Sequence, residues 1–392
     1  MKLVVIGLGQ CGGRIADEFY RIGRRARANR RIEIITDALA VNTDEADLSG
    51  LRNIRTDFRH RIMLGGRKTG GHGVGKINEL GAQIAREGSD KVIDAVRETR
   101  RFYETDAFLL IAASSGGTGS GGLPIFTQVL KERYMDKPVY ALVALPFEHE
   151  EHAEERCVYN TATCLKSIYS VADAVFLIDN QRYLRKDTNL INNMQKINQQ
   201  IVEPFYNLLC TGEEKKPKHI GARIVDAGDI IQTLGGWSTI GFGKTQVSLF
   251  GRLPLPRRRS WRKKGTETHK GVAALDEALS ELSVACKPKD AGSALYLLTS
   301  PAAEANVDIV KEIGDYLKEL MEEAVIRSGD YPRERGALDV TLILSQLSDM
   351  EKVRGYYYRL TESAPTTKKR QKEAELKLKE IADASKDIPS LL

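Results

Sequence analysis

Much that would assign this chain of 392 residues to a familiar class is missing from it. The five cysteines, Cys11, Cys157, Cys164, Cys210 and Cys286, include no C-x-x-C pair and are too few for a disulfide framework, which points to a reducing cytoplasm. No apolar run approaches the roughly 18 residues that span a bilayer, and the opening MKLVVIGLGQ reads as a strand entering a glycine turn, not as a signal peptide. Excess charge is slight: 59 Lys and Arg against 53 Asp and Glu leave +6, which does not demand nucleic acid. His149-Glu150-Glu151-His152 lacks the i, i+4 spacing that sets two imidazoles on one helix face, so no metal centre is expected. No serine has a His and a carboxylate at motif spacing, which leaves nucleophilic hydrolysis without support. There is no internal repeat. The composition, 42% hydrophobic and 29% charged, is that of a folded globular protein, and the length allows two or three domains.

What is present is alternation. Short apolar runs at Lys2 to Ile6, Ala38 to Val41, Phe108 to Ala113, Val139 to Leu145 and Ala174 to Ile178 are separated by helical periodicities such as Ile15, Phe19 and Ile22. That order of strand and helix is the signature of a parallel sheet covered on both faces. From Asn189 to Cys210, apolar residues at Leu190, Met194, Ile197, Ile201, Phe205 and Leu208 recur every three or four positions, one face of a long helix that Pro204 is expected to kink. Beyond Gly212, strands near 237–242, 294–299, 324–328 and 338–344 surround helices near 270–282 and 304–322. The expected organisation is a Rossmann-like parallel-sheet domain over 1–188, a central helix over 189–212, a smaller α+β domain with a mixed four-stranded sheet over 213–350, and a charged, solvated helical tail over 351–392.

Two glycine loops carry the chemistry. Gly7-Leu8-Gly9-Gln10-Cys11-Gly12-Gly13 follows the first strand and satisfies G-x-G-x-x-G, whose glycines let backbone N–H groups approach a phosphate at a helix N-terminus. A dinucleotide site would also want an acid after the second strand; Asp37 precedes that strand, so Asp44 is the one available, and an NAD-dependent oxidoreductase stands as an alternative. The second loop, Ser114-Ser115-Gly116-Gly117-Thr118-Gly119-Ser120-Gly121-Gly122, lies between a very apolar strand and a helix, and offers a concave array of N–H donors with a helix dipole behind it. Such a loop suits polyphosphate. It lacks the Lys-Ser/Thr ending of a Walker A loop, so the compensating cation must be Mg²⁺ or arginine from elsewhere.

Gly116 to Gly121 resembles the signature loop of the tubulin and FtsZ superfamily, and Gly9-Gln10-Cys11-Gly12 is similar to the first loop of tubulin. In order along the chain, Asn42-Thr43-Asp44 resembles the second FtsZ loop, and Thr69 to Gly75, with Gly73, Val74 and Gly75, the third, which reaches the terminal phosphate. Pro146-Phe147 with Glu150 and Arg156 resembles the fifth, although Arg156 stands ten residues after the proline where FtsZ has eight. Asp179-Asn180 resembles the sixth, and Asn180 together with Asn198 on the long helix would read guanine, an amide having both the donors and the acceptor that base needs. This mixture of tubulin-like and FtsZ-like features, running from residue 1 to about 350, is similar to the archaeal CetZ group.

The resemblance implies a cytoskeletal protein that binds GTP or GDP, with Mg²⁺ carried mainly on the phosphates, and polymerises with itself head to tail. The phosphate cradle would comprise Gly9, Gln10, Cys11, Gly12 and Ser115, Gly116, Gly117, Thr118, Gly119 and Ser120. Ala222 to Ile230 resembles the seventh loop, where Asp226 and Asp229 would orient the attacking water on nucleotide held by a neighbouring subunit, in a role in cell shape or division. Ile224 replaces the FtsZ asparagine there, and Asp226 with Asp229 three residues on also has the form of a helix-capping box, so a filament without turnover remains a further alternative. Two basic clusters, Arg21 to Arg31 and Arg252 to Lys264, suit polyanions; the second falls where tubulin carries its lateral-contact loop, and the FtsZ C-terminal peptide is not evident.

Overall fold

The computed structural model of the protein describes residues 1–184, 190–245, 261–301, 307–334 and 336–362. Of the basic run Arg252 to Lys264 only helical backbone from Trp261 is among them, and the tail beyond Glu362 is not.

The apolar runs form one ten-stranded sheet in the order β3-β2-β1-β4-β5-β6-β7-β10-β8-β9. Its first part is parallel: β1 (Leu3–Leu8), β2 (Ile35–Asn42), β3 (Arg61–Met63), β4 (Ala107–Ala113), β5 (Val139–Leu145) and β6 (Ala174–Asp179). Strands buried on both faces need no polar alternation, and β1, with all six residues buried, has none. Successive side chains feed two apolar layers. Leu3 and Val5 join Ile15, Phe19 and Ile22 of α1 (Gly9–Arg30), while Val4, Ile6 and Leu8 join Leu123 and Phe126 of α5 (Thr118–Arg133).

The second part of the sheet is mixed, as its sequence suggests. β10 (Leu338–Leu347) is antiparallel to both β7 (Gly236–Thr245) and β8 (Ala291–Pro301), and β9 (Val325–Arg333) lies parallel to β8 at the edge, where Pro332 costs no ladder bond. These four strands continue the first six through the register Ala174↔Gly236, Val175↔Trp237 and Phe176↔Ser238. Helices α10 (Trp261–Ser280) and α11 (Val307–Leu320) cover them.

Between the two parts runs α8 (Leu190–Thr211), about 33 Å long at 1.5 Å per residue. Its helical assignment passes through Pro204 without a break. Its far end reaches the N-terminus, where the Met1 ammonium donates to the Leu209 carbonyl at 3.1 Å and pairs with Glu213 at 2.9 Å. α8 therefore runs from the C-terminal ends of the parallel strands to their N-terminal ends.

Three expectations are corrected, and one strand was not foreseen. β2 begins at Ile35, so Asp37 lies within the strand, buried beside His60, and does not precede it. β3 has three residues, too few to show periodicity. Helix α12 (351–362) is not solvated all round: Val353 and Tyr356 are buried in the core. In the first basic cluster, Arg21, Arg25, Arg27 and Arg30 pair with Glu18, Glu203, Glu33 and Glu214, so most of that charge is used inside the molecule. Among the described residues, no helix is long and apolar enough to cross a membrane.

Candidate functional site

In a parallel sheet the loops beyond the C-terminal strand ends converge, and here they interlock. Gly9, with φ of 69°, turns β1 into α1, and a Cβ on it would lie 3.2 Å from the Gly119 nitrogen, so the two glycine loops touch. The Thr43 and Thr118 hydroxyls are 2.6 Å apart. Asp47, in the short helix α2 (Glu45–Ser49), accepts from the Gln10 amide at 2.6 Å and the Asn42 amide at 3.0 Å. Asn42 also accepts from the Thr43 N–H at 2.8 Å, while Asp44 caps α2 through the Asp47 N–H at 3.1 Å. Asp44 bridges to His72, and the Gly73 N–H donates to the Thr43 carbonyl at 3.0 Å, which zips the third loop to the second. The cap thus engages Asp44 Oδ1 alone, and the bridge to His72 is made by the backbone.

The second glycine loop is braced from behind. Asn160, fully buried on α7 (Glu155–Val171), donates to the carbonyls of Lys76, Ser115 and Gly116 at 2.8, 3.0 and 3.1 Å, and the Ser120 hydroxyl donates to the Gly116 carbonyl. With those carbonyls turned inward, the first N–H groups of α5 are left without intrahelical partners, as at any helix N-terminus. The glycines differ in their surroundings. A Cβ on Gly117 would lie 2.4 Å from Val74 Cγ2 and 3.0 Å from the Ile77 nitrogen, and one on Gly119 2.9 Å from the Leu8 carbonyl. Those two glycines serve close packing between loops. A Cβ on Gly116 or Gly75 would meet nothing within 4 Å, so both border open space where a ligand can approach.

Asn198, 5% exposed on α8, lines a cleft of about 510 Å³ with Arg14, Asp17, Arg52, Asn53 and Met194. Asp17 shapes one wall by accepting from the N–H groups of Asn53 and Ile54, each at 2.7 Å, and from the Asn53 amide at 2.8 Å. Asn180 is buried as the first residue of the turn after β6, and is not among the side chains lining that cleft. Glu150 accepts from the Phe147 N–H at 3.0 Å and so caps α6 (Glu148–Ala153). Arg156 reaches across to the start of α3 (Asn78–Glu87), to Asn78 at 3.3 Å and to Glu79, and braces that turn. Burial, followed by the charge of Glu150, pushes the Cys11 thiol up to about 12, so at neutral pH it is a protonated group and no nucleophile.

Asp226 and Asp229 are elsewhere. Asp226 Oδ1 accepts from the Asp229 N–H at 2.9 Å and Asp229 Oδ2 from the Asp226 N–H at 3.3 Å, a reciprocal cap on α9 (Ala227–Thr233). α9 leads into Gly236, which pairs with Ala174 at the N-terminal end of β6, whereas Asn180 follows the C-terminal end. The two acids and the glycine loops are therefore at opposite ends of the sheet, on the order of 20 Å apart over a six-residue strand.

The profile of the Tubulin/FtsZ family GTPase domain matches residues 2–186, and that of the tubulin-like CetZ C-terminal domain matches residues 187–362. Tubulin-like protein CetZ1 of Haloferax volcanii is 33% identical over 346 residues, 85% of this chain and 84% of its own. The chain belongs to the tubulin-like CetZ family. Among solved structures, GDP-bound monomeric CetZ1 of H. volcanii has a TM-score of 0.78 at 29% identity, over 93% of this chain and all of that one. CetZ2 of the same organism, a GTPγS-bound protofilament, has a TM-score of 0.80 at 27% identity, over 94% of this chain and all of that one.

For a member of this family the sequence signals its loops clearly and their supports poorly. Asp17, Asp47 and Asn160 are not singled out by sequence, because each acts on a loop 30 or more positions away.

Proposed function

We propose that this protein binds GTP beyond the C-terminal ends of the parallel strands, assembles with itself head to tail, and hydrolyses the GTP at the junctions between subunits, in a cytoskeletal role in cell shape. The observation that carries this reading is the separation of the glycine loops from the acid pair Asp226 and Asp229. One molecule has a phosphate cradle at one end and water-orienting acids at the other, and only a second copy stacked in the same sense brings the two together. Contacts of that heterologous kind do not close on themselves and propagate as a filament. The family match, and the guanine nucleotides bound by two structures similar to this chain, support the choice of nucleotide.

In this reading the open side of Gly116 and the free N–H groups at the start of α5 hold phosphate oxygens, and the loops zipped by Thr43, Asp44 and Gly73 close over them. Asn180 and Asn198 take the guanine edge. The cap engages Asp226 Oδ1 and Asp229 Oδ2, which leaves the other oxygen of each carboxylate to accept from an attacking water. Phosphoryl transfer asks a protein for little beyond such positioning and charge compensation. Mg²⁺ would sit mainly on the phosphate oxygens and neutralise charge there.

The reciprocal cap favours one second reading, a filament that binds nucleotide without turning it over. Specific GTPase activity measured against protein concentration separates the two. A steep rise above a threshold supports hydrolysis at junctions, a flat trace opposes it, and assembly with no phosphate release supports the second reading.

A further inference from the structure

Helix α12 does more than cover the sheet. Val353 and Tyr356 already bury its apolar side, yet its polar side chains reach two carboxylates on the nucleotide end of the molecule. Lys352 Nζ donates to Asp179 Oδ2 at 3.0 Å, and that carboxylate is 9% exposed. Asp179 Oδ1 accepts from the Gln181 N–H at 3.1 Å, so one side chain ties α12 to the turn whose first residue is Asn180. The second tie is to α6: the Tyr356 hydroxyl donates to Glu151 Oε1 and Arg359 Nη1 to Glu151 Oε2 at 2.7 Å, with the Arg359 guanidinium 4.6 Å over the Tyr356 ring. Glu151 is 6% exposed and follows Glu150, the cap of α6. A further bond, from the Glu148 N–H to Gln181 Oε1 at 3.5 Å, joins the two nucleotide loops to each other.

We infer that α12 is a positioning element for the base-reading end of the site, with Lys352 acting through Asp179 on Asn180, and Tyr356 and Arg359 acting through Glu151 on the loop after β5. A buried carboxylate needs its cation: with Lys352 removed, Asp179 keeps one N–H donor and gains free energy by turning toward water. The turn 179–181 would move with it. A side chain that reads a base edge tolerates little displacement, since about 1 Å of misplacement is enough to lose most of an oriented contact. Neither tie touches the phosphate loops, so the effect falls on choice of base and spares the grip on phosphate.

This inference rests on the GTP reading above, and the test separates the two. Affinities of the full chain for GTP, ATP and inorganic tripolyphosphate are measured by competition against a fluorescent GTP analogue, for the wild type, Lys352→Met, Lys352→Arg and Tyr356→Phe, with the melting temperature of each. The expected result is a wild type that prefers GTP, a Lys352→Met variant whose preference over ATP falls by about tenfold while tripolyphosphate binds as before, and recovery in Lys352→Arg. If Lys352→Met does not fold, Tyr356→Phe removes a single hydroxyl from an intact ring and should lose part of the same preference. Folded variants that keep the wild-type preference, or that lose tripolyphosphate along with GTP and ATP, overturn the positioning role and leave the GTP reading standing. A wild type that binds GTP and ATP equally overturns both.

Discussion

The two ends of the parallel sheet are built in opposite ways. At the C-terminal ends, four loops are held in place by bonds within the chain: Thr43 to Thr118, Asp47 to Gln10 and Asn42, Gly73 to Thr43, and Asn160 to three carbonyls. At the N-terminal end, Asp226 is exposed, Asp229 is partly so, and the two are held by little beyond each other, with the Arg327 guanidinium 3.9 Å from Asp229. The first end is assembled before any partner arrives, whereas the second has the form of half a site. In the proposed mechanism binding and turnover depend on groups that do not touch within one molecule, so mutation should separate them.

The largest expected effect is at the exposed end. Asp226→Asn and Asp229→Asn keep side chains able to cap α9 and remove the negative charge, so hydrolysis should fall about 10²- to 10⁴-fold with GTP affinity retained. Asp226→Ala, which also removes the cap, should cost about 1 kcal/mol of stability in addition. Phosphate-release rates set beside melting curves distinguish the two, and an Asn variant with full activity would reduce the pair to a helix cap.

At the assembled end, Gly116→Val should abolish GTP binding without lowering the melting temperature, because its Cβ enters open space. Gly117→Val and Gly119→Val should lose stability as well, because their Cβ atoms meet Val74 and the Leu8 carbonyl. Calorimetric titration with GTP and a thermal scan of all three check the contrast; a Gly116→Val protein that binds normally would remove the second glycine loop from the cradle. Smaller still, Asn180→Asp or Asn198→Asp substitutes an acceptor for a donor and should cost about 1 to 3 kcal/mol of GTP affinity, with less change for ATP. Competition binding measures this.

The smallest effect is one of pH. His60 donates toward Asp37, at 3.2 Å, and Asp57, at 2.7 Å, and holds the loop ahead of β3 to the edge of β2. The Asp37 hydrogen bond, against burial and aided by Asp57, raises the His60 pKa. Burial pushes Asp57 the other way, but the His60 bond and charge prevail and lower it. The raised histidine stabilises the loop fully below its unfolded pKa of about 6.5, and that support is lost as pH rises through the folded value; the lowered Asp57 contributes above about 3.9 and is lost as pH falls. Amide exchange of residues 52–61, corrected for intrinsic rate, should therefore show more protection at pH 6 than at pH 8, and equal protection would mean that His60 does not titrate in this range.

The same comparison explains what the sequence could show. Glycine loops between a buried strand and a helix are local signals, and the loops from Gly9 to Asn180 were legible because each occupies a few consecutive positions. The cap that Asp226 and Asp229 form on α9 was legible for the same reason. Many of the bonds that order the loops join residues 30 or more positions apart, as Gln10 to Asp47 and Lys352 to Asp179, and no single-sequence period reports them. The short β3 was missed because three residues carry no alternation, and α12 was taken as solvated because its buried pair, Val353 and Tyr356, stands among charges.

The central claim is that one subunit supplies the nucleotide and the next supplies the acids. Gly116→Val has an intact acid end and Asp229→Asn an intact nucleotide end, so each alone should be nearly inactive. Mixed in equal amounts, they should recover GTP hydrolysis that grows with the product of the two concentrations, because each productive junction pairs one of each. A mixture no more active than its components, or an Asp229→Asn protein already active by itself, would contradict the account.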